Sequence, residues 1–282
     1  MALRYSVNLS MLYTEHPFLD RFARAARAGF TAVEFWFPYE FDLKEIRARL
    51  ESLGLTLFLF NLHPGDIRAG EWGSLGHPQK RGYFRWSLAE ALEAARFLNC
   101  TRLHAMFGNE VLGMERTNQV ECAVENLSWA APLAAEAGVT LLIEPLNRTD
   151  RPTYFLHRTA EALNIVQRVN HPQVGLQYDV YHAQMTEGNL INTITACLPY
   201  IGHIQIADVP GRHQPGTGEI NYPVILDVVK KLNYSGYVGL EYQPTKDTDS
   251  SLAWLASAER GESEIRYSPA TSPNREAPKG LL

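Results

Sequence analysis

Eight short apolar runs alternate with segments of helical spacing from residue 4 to about residue 258, and this alternation restricts the folds open to the chain. The runs are Tyr5–Leu9, Ala32–Phe37, Leu55–Asn61, Arg102–Phe107, Thr140–Leu146, Val174–Tyr181, Ile201–Ala207 and Tyr237–Tyr242. Strands that alternate with helices pair in parallel through right-handed crossovers. Because the runs are continuously apolar, we expect strands buried on both faces. Eight such units in about 250 residues predict one closed (β/α)8 barrel, the TIM barrel of the α/β class.

The segments between the runs show apolar residues at helical spacing, which predicts one buried face per helix. Three examples are Leu43, Ile46, Leu50 and Leu53; Val120, Val124, Leu127, Ala131 and Ala134; and Val224, Ile225, Val228, Val229 and Leu232. Gly29, Gly54 and Gly138 follow such segments, where a left-handed residue commonly ends a helix. Pro132 lies inside the second segment, so we expect a kink or a break there.

The main alternative fold is a doubly wound open sheet, which has fewer strands and a glycine-rich phosphate loop after the first strand. The segment SMLYTEHPF follows the first run and holds no glycine, and neither G-x-G-x-x-G nor a P-loop occurs in the chain. The barrel is therefore favoured. We expect one catalytic domain over residues 1–258 and a polar, proline-containing tail over residues 259–282 that is loosely ordered.

The composition argues against nucleic acids and membranes as partners of this protein. Lys and Arg number 26 against 31 Asp and Glu, a net charge of −5, which disfavours a nucleic-acid partner. No apolar run approaches the roughly 18 residues of a membrane helix, and the N-terminus holds no signal-peptide core. Three widely spaced cysteines, Cys100, Cys122 and Cys197, indicate neither a disulfide framework nor a zinc site. We expect a cytoplasmic enzyme that acts on a small-molecule substrate. The enzyme can form a homo-oligomer.

Four polar residues stand within or at the ends of buried strands. Glu144 interrupts LLIEPLN, Asp179 interrupts VGLQYDVYH, Gln205 lies in HIQIAD and Glu241 lies in YVGLEYQP. They fall on the fifth to eighth strands, toward the carboxyl ends that carry the active site in such barrels. Three buried carboxylates repel one another unless a cation lies among them. Because carboxylate and amide oxygens are hard ligands, the pattern favours a Mg²⁺ or Mn²⁺ site over separate pairing of each carboxylate with an Arg or Lys at the barrel rim.

Other polar residues lie near these positions. His182 follows Asp179 by three residues and is a candidate for binding substrate, as are Asp208, Arg212 and His104. Arg212 stands in a glycine-rich loop, and its planar guanidinium suits a carboxylate, although a solvated loop arginine fits the pattern equally well.

The remaining candidates have equally plausible structural roles. Glu71 and Trp72 lie in the long loop Asn61–Arg85, which can cover the pocket. We interpret Glu34 as a buried partner rather than a ligand, and Asn8 as core. The aromatic residues Phe35, Trp36, Phe37, Phe58 and Phe60 are interpreted as barrel packing.

The chain resembles the hydroxypyruvate isomerases, within the xylose-isomerase-like barrels. The resemblance is carried by VNLSMLYTEHPFLDRF, AVEFWFPY, PGDIRAGEWG, LLIEPLN, RHQPGTGEINYP and GLEYQP, and covers about residues 4–258. Closely similar sequences are assigned to isomerases of other short oxo-acids, including 2-oxo-tetronates. The resemblance implies a divalent metal held by Glu144, Asp179, Gln205 and Glu241, with the two glutamates also transferring protons. His182 and Arg212 match substrate-contacting positions of related ketose epimerases.

We therefore expect an aldose–ketose isomerase that interconverts hydroxypyruvate and 2-hydroxy-3-oxopropanoate, or a close oxo-acid. The alternatives are a 2-oxo-tetronate isomerase and a ketose 3-epimerase, which use the same proton chemistry. An abasic-site endonuclease and a non-catalytic binding protein are disfavoured by the net charge and by the intact set of polar residues. Three carboxylates and one M²⁺ sum to −1, so an oxo-acid needs a further cation. Arg212, or a protonated His182, is the expected source.

Overall fold

The computed structural model describes residues 2–261, which form a closed barrel of eight parallel strands. The strands are β1 (Arg4–Asn8), β2 (Ala32–Glu34), β3 (Thr56–Asn61), β4 (Arg102–His104), β5 (Thr140–Ile143), β6 (Val174–Asp179), β7 (Ile201–Ile206) and β8 (Tyr237–Leu240). Each strand pairs with the next in the chain, and β8 closes the ring on β1. The predicted (β/α)8 barrel is confirmed.

All eight predicted strands are present, but most end earlier than the apolar runs that predicted them. The run from Ala32 reaches Phe37, yet β2 ends at Glu34; the run from Arg102 reaches Phe107, yet β4 ends at His104. Phe35 and Phe107 remain buried in the loops that follow. Apolar character reports burial, and burial continues past the point where strand pairing stops. The chain therefore enters the active-site loops while still inside the core.

Helices surround the barrel: α1 (Phe18–Arg27), α2 (Leu43–Leu53), α3 (Arg81–Leu98), α4 (Arg116–Glu136), α5 (Thr159–Val169), α6 (Val180–Thr186), α7 (Leu190–Cys197), α8 (Tyr222–Lys231), α9 (Thr248–Ser251) and α10 (Ser257–Arg260). The helix α2 buries Ile46 and Leu50 on its predicted face. It ends at Gly54, whose φ of 64° is left-handed, as predicted. Of the kink or break predicted at Pro132, the break does not occur, because α4 continues through this residue to Glu136.

The last described residues contact the loop that follows the first helix of the barrel. Arg260 donates hydrogen bonds to the carbonyls of Leu252 and Leu255 and to that of Ala28 at the end of α1. Residues 259–261 of the expected tail therefore lie against the barrel, and residues 262–282 lie outside the described residues. The three cysteines are buried and unpaired. Within residues 2–261, no helix combines the length and apolar character needed to cross a membrane.

Replacing Pro132 should stabilise the protein. Pro132 is exposed and interior to α4, where proline removes a backbone hydrogen bond. We expect Pro132→Ala to raise the free energy of unfolding by about 2 kcal/mol, after the opposing entropy of the unfolded chain. Denaturant titration measures this. Pro78→Ala is the matched control, because Pro78 begins a short 3-10 helix and blocks no interior bond; equal or opposite effects in the two variants would contradict the prediction.

Candidate active site

A small pocket opens at the carboxyl ends of the strands. Its lining contains most of the residues predicted from sequence: Glu144, Gln205, Glu241, His182, Arg212, His104 and Trp72. Asp179 adjoins it, since its carboxylate contacts both Arg212 and His182. The barrel therefore brings together residues that stand up to 169 positions apart, from Trp72 to Glu241.

The three predicted carboxylates are buried where their strands end. Glu144 directly follows β5, Asp179 is the last residue of β6, and Glu241 directly follows β8. Each is 5% exposed or less. Ligand atoms of Glu144, Asp179 and His182 lie within 4.8 Å of one another, so this group could hold a metal ion.

Burial and mutual repulsion disfavour the charged forms of these groups. Burial raises the pKa of Glu144 well above its usual value, and Glu241 and Asp179 raise it further. Burial raises the pKa of Glu241 to about 8 against the opposing charge of Arg212, and the charges of Asp179 and Glu34 add to the rise. Burial also raises the pKa of Asp179, despite Arg212. A cation among the three would relieve this energetic cost.

Two glutamines connect the carboxylates. Gln177 Nε2 donates to Glu144 Oε2 at 2.9 Å and to Gln205 Oε1 at 2.7 Å. Gln205 Nε2 donates to Glu34 Oε1 at 2.8 Å, so its oxygen is the atom directed away from Glu34. Only one of the two lone pairs of that oxygen is used by Gln177, which leaves the other for a ligand.

Glu34 lies below the glutamines in the barrel interior and is fully buried. Its carboxylate accepts hydrogen bonds from Ser6 Oγ at 2.7 Å and Gln205 Nε2 at 2.8 Å, and lies 2.8 Å from His203 Nε2. Burial alone would raise the pKa of Glu34, but His203 and these hydrogen bonds outweigh it and lower the pKa. Asn8 is buried beside it and contacts the same carboxylate. The interpretation of Glu34 as a buried partner is confirmed.

His182 is neutral in this arrangement, and its Nδ1 is a hydrogen-bond acceptor. Its Nδ1 accepts from the backbone N–H of Asn147 at 3.2 Å and lies 2.7 Å from Asn147 Nδ2. The proton is therefore on Nε2, which lies 3.6 Å from Asp179 Oδ2. Burial lowers the pKa of His182 well below its usual value, and Arg212 and Arg151 lower it further. The alternative that a protonated His182 offsets substrate charge is disfavoured.

His104 lies on the other side of Glu144. Its Nδ1 is 3.4 Å from Glu144 Oε2, and burial lowers the pKa of the imidazole to about 3. Its Nε2 is buried and has no hydrogen-bond partner among the described residues. The Nε2 atom is therefore available for a hydrogen bond with a bound ligand.

Arg212 reaches the pocket from the loop between β7 and α8. Its Nη2 lies 3.1 Å from Glu241 Oε1 and 3.3 Å from Asp179 Oδ2. Its backbone is left-handed, with φ of 57°, and its carbonyl accepts from the N–H of Gln243. The loop thus fixes the guanidinium between two carboxylates rather than in solvent.

Asp208 lies outside the pocket lining and organises this loop instead. Its carboxylate accepts hydrogen bonds from five backbone N–H groups, those of Val209, Gly216, Thr217, Gly218 and Ile220, at 2.9–3.1 Å. A Cβ at Gly218 would lie 2.0 Å from the carbonyl oxygen of Val209, so the close turn requires glycine. Asp208 is not among the residues that line the pocket. It stabilises the backbone of the loop that carries Arg212.

The two lid candidates differ in position. Trp72 lines the pocket, and the guanidinium of Arg151 lies over its ring, 3.8 Å from the centroid. Glu71 points away and pairs with Lys80.

Several pocket residues were not identified from the sequence. Trp36, interpreted as packing, lines the pocket and donates from Nε1 to Glu241 Oε1 at 3.0 Å; Phe37 also lines the pocket. Gln177 and Arg151 were not singled out at all. Gln177 carried a usable signal, because it lies two residues before Asp179 and therefore on the same face of the strand. Arg151 lies in an irregular loop, where no periodicity predicts its direction.

The donor set fits a divalent metal. Glu144, Asp179 and Glu241 supply carboxylates with raised pKa values, and Gln205 supplies an amide oxygen held in place by Glu34 and Gln177. His182 Nε2 carries a proton in this hydrogen-bond arrangement, so it is a poorer ligand than these oxygens.

The chain belongs to the family of xylose isomerase-like TIM barrels. The sequence model of that family matches residues 22–258. It is 46% identical to a 2-oxo-tetronate isomerase of Cupriavidus necator, over 89% of this chain and 97% of that protein. It is 42% identical to the hydroxypyruvate isomerase of Escherichia coli, over 90% and 98%. A crystal structure described as an AP endonuclease, family 2, from Brucella melitensis matches with a TM-score of 0.87 and 43% identity, over 90% and 98% of the chains.

Removing Glu34 should destabilise the barrel strongly. Glu34→Ala leaves Ser6, His203 and Gln205 without a common acceptor, at roughly 1–3 kcal/mol for each buried unsatisfied group. We expect a loss of about 3 kcal/mol or more in the free energy of unfolding, measured by urea titration. Ser6→Ala is the matched control, because it removes one donor only and should cost about 1 kcal/mol. Equal losses in the two variants would contradict the central place of Glu34.

The raised pKa of Glu241 predicts a pH dependence of stability. Between about pH 4.5 and pH 8 the folded protein retains a proton on Glu241 that the unfolded chain has released, so stability falls as pH rises through this window. In EDTA, the melting temperature should fall further between pH 7 and pH 9 for the wild type than for Glu241→Gln, by roughly 2–4 °C. Glu125→Gln, an exposed substitution, should behave as the wild type. Parallel curves for wild type and Glu241→Gln would contradict the raised pKa.

Proposed function

We propose that the protein is a metal-dependent aldose–ketose isomerase of a short oxo-acid, interconverting hydroxypyruvate and 2-hydroxy-3-oxopropanoate. The observation that carries the proposal is the pair Glu144 and Glu241: two buried carboxyl groups with raised pKa values on one small pocket. A buried carboxyl group with a raised pKa can both accept and return a proton. The names of the two similar isomerases support the same class of reaction.

The reaction moves one hydrogen between adjacent carbons. A proton leaves C3 of hydroxypyruvate and a proton is added at C2, while the hydroxyl proton passes from O3 to O2. We assign the two carbon proton transfers to Glu144 and Glu241, which reach the pocket from β5 and β8. Trp36 and Arg212 hold the carboxylate of Glu241, and Gln177 and His104 hold that of Glu144, so both are oriented before substrate arrives.

We propose that Glu144, Asp179, Gln205 and Glu241 hold Mg²⁺ or Mn²⁺, since all four offer oxygen. A bound divalent ion supplies electrostatic stabilisation of the negative charge that develops on the substrate oxygens. His182 and Arg212 are proposed to donate hydrogen bonds to substrate oxygens from the two sides of Asp179, with His104 beside Glu144 as an acceptor. Asp208 is proposed to support Arg212 through the loop backbone.

A second candidate substrate is a four-carbon 2-oxo-tetronate. The observation that favours it is the 46% identity with an isomerase named for that substrate. Ketose 3-epimerases share only the fold at about 20% identity, so they bear on the architecture and not on the substrate. The three buried, unpaired cysteines are compatible with a reducing cytoplasm, where we propose that the enzyme acts.

Solvent-deuterium incorporation, followed by NMR, tests the proposal. With hydroxypyruvate in D₂O the wild-type enzyme should place deuterium on carbon and form 2-hydroxy-3-oxopropanoate, and EDTA should suppress both. Glu241→Gln should lower the rate by about 100-fold or more, the usual contribution of a positioned acid or base.

The control is Glu125→Gln on the outer face of α4, which should exchange at the wild-type rate. Exchange with neutral ketoses but with no oxo-acid would contradict the proposed substrate class. Unchanged exchange in Glu241→Gln would contradict the assigned proton transfer. Faster turnover of a 2-oxo-tetronate than of hydroxypyruvate would favour the second candidate.

A further inference from the structure

A second arginine lines the pocket and has no role in the chemistry described above. Arg151 lies in the loop between β5 and α5, seven residues after Glu144. Its guanidinium carbon lies 3.8 Å from the centroid of the Trp72 indole ring, and its Nη1 donates to the carbonyl of Asp150 at 2.9 Å.

The two arginines of the pocket differ in how their charge is used. Arg212 places one nitrogen between Asp179 and Glu241, so its charge is balanced by groups of the protein. Arg151 forms no ion pair with a carboxylate anywhere in residues 2–261. Its contacts are an aromatic face and one backbone carbonyl, which leave most of its five N–H donors without a protein acceptor.

We propose that Arg151, which lies over the ring of Trp72, binds the carboxylate of the substrate and thereby selects anionic oxo-acids over neutral ketoses. The inference rests on the proposed function, because it names the group that recognises the acid end of that substrate. It assigns the carboxylate to Arg151 in place of Arg212, which the sequence alone suggested.

The geometry suits this role. A guanidinium presents a planar fork of N–H donors that matches the two oxygens of a carboxylate. Stacking on an indole ring orients the guanidinium and leaves these N–H donors free to bind a carboxylate. Burial lowers the pKa of Arg151 and the neighbouring charge of Arg212 lowers it further, while the charges of Asp150 and Glu241 offset this only in part. An anion bound between two such cations would relieve their repulsion.

The stacking partner is itself held in place. Gly73, next to Trp72, forms a bridge with Phe107, and a Cβ at Gly73 would lie 2.2 Å from the carbonyl oxygen of Met106. Asn109 Nδ2 donates to the carbonyl of Gly70 at 2.7 Å. The loop that carries Trp72 is therefore docked on the segment after β4. Trp72 is a positioning residue, and Arg151 is the group that contacts substrate.

Calorimetric titration of the metal-loaded protein tests the proposal without turnover. The probe is D-glycerate, which has the carboxylate of the substrate but no carbonyl, and the neutral comparison is its amide, 2,3-dihydroxypropanamide. Arg151→Met keeps a long side chain on Trp72 and removes the charge. We expect it to weaken D-glycerate binding by about 10- to 100-fold and to leave the amide unchanged, since hydrogen bonds to charged groups contribute roughly 1.5–3 kcal/mol.

Two further variants separate charge from packing. Arg151→Lys keeps the charge without the fork and should recover part of the affinity. Arg148→Gln is the matched control, because Arg148 lies three residues earlier on the same loop and pairs with Glu110 at the surface; it should bind D-glycerate as the wild type does. Equal loss of acid and amide in Arg151→Met would show a structural role and overturn the proposal.

Kinetics with hydroxypyruvate distinguish this inference from the proposed function. In Arg151→Met the KM for hydroxypyruvate should rise about 10-fold or more, while deuterium exchange at saturation stays within a few-fold of the wild-type rate. An unchanged KM would overturn the role of Arg151 and leave the isomerase intact. If the wild type binds D-glycerate through Arg151 but does not isomerise hydroxypyruvate, the carboxylate site stands and the proposed reaction fails. Absence of D-glycerate binding by the wild type would overturn the carboxylate site directly.

Discussion

The burial of three neighbouring carboxylates is the constraint on which the rest of this structure depends. Glu144, Asp179 and Glu241 project into one small volume from β5, β6 and β8, where water is largely excluded. Their pKa values are raised mainly because burial disfavours their charged forms. Most of the polar contacts around them, from Arg212, Trp36, Gln177 and His104, offset that charge in part. The negative charge that these contacts do not offset makes the site suited to a divalent cation.

The buried layer beneath the pocket shows how the barrel makes such a site possible. Glu34 and His203 lie inside the ring of strands, and Glu34 fixes the amide of Gln205 with its oxygen directed away from the pair. The buried pair of Glu34 and His203 thereby orients the side chain of Gln205 above it. The same barrel occurs in ketose epimerases at about 20% identity, so the architecture alone does not select a substrate. Selection in this chain depends on the loops, where Arg151 and Trp72 meet.

The fold and the floor of the site were predictable because both follow from the side-chain pattern of strands. One glutamate in an apolar run is ambiguous, as Glu34 shows, but polar residues on four consecutive strands, from Glu144 to Glu241, indicate a shared site. Burial on both faces made all eight strands visible. The strand ends were predicted too late because the loops after β2 and β4 remain apolar and buried. Trp36 packs against the core as its apolar run predicted, but the run gave no sign that its Nε1 donates to Glu241.

Residues of irregular loops were the hardest to place. Asp208 and Arg212 stand in one loop and were predicted to share a role, but Asp208 turns inward to five backbone N–H groups while Arg212 turns to the carboxylates. Arg151 and Arg148 are three residues apart, yet one lines the pocket and the other pairs at the surface. Spacing carries no directional information where the backbone has no repeat, so such assignments require coordinates.

Mn²⁺ titration of the EDTA-treated protein, followed by electron paramagnetic resonance, tests the central claim most directly. We predict one tight site per chain that Mg²⁺ displaces, with an all-oxygen ligand set supplied by the three carboxylates and Gln205. Electron-spin-echo modulation should then lack the signal of a coordinated imidazole nitrogen, because His182 Nε2 carries a proton. No saturable Mn²⁺ binding, or a directly coordinated nitrogen, would contradict the account.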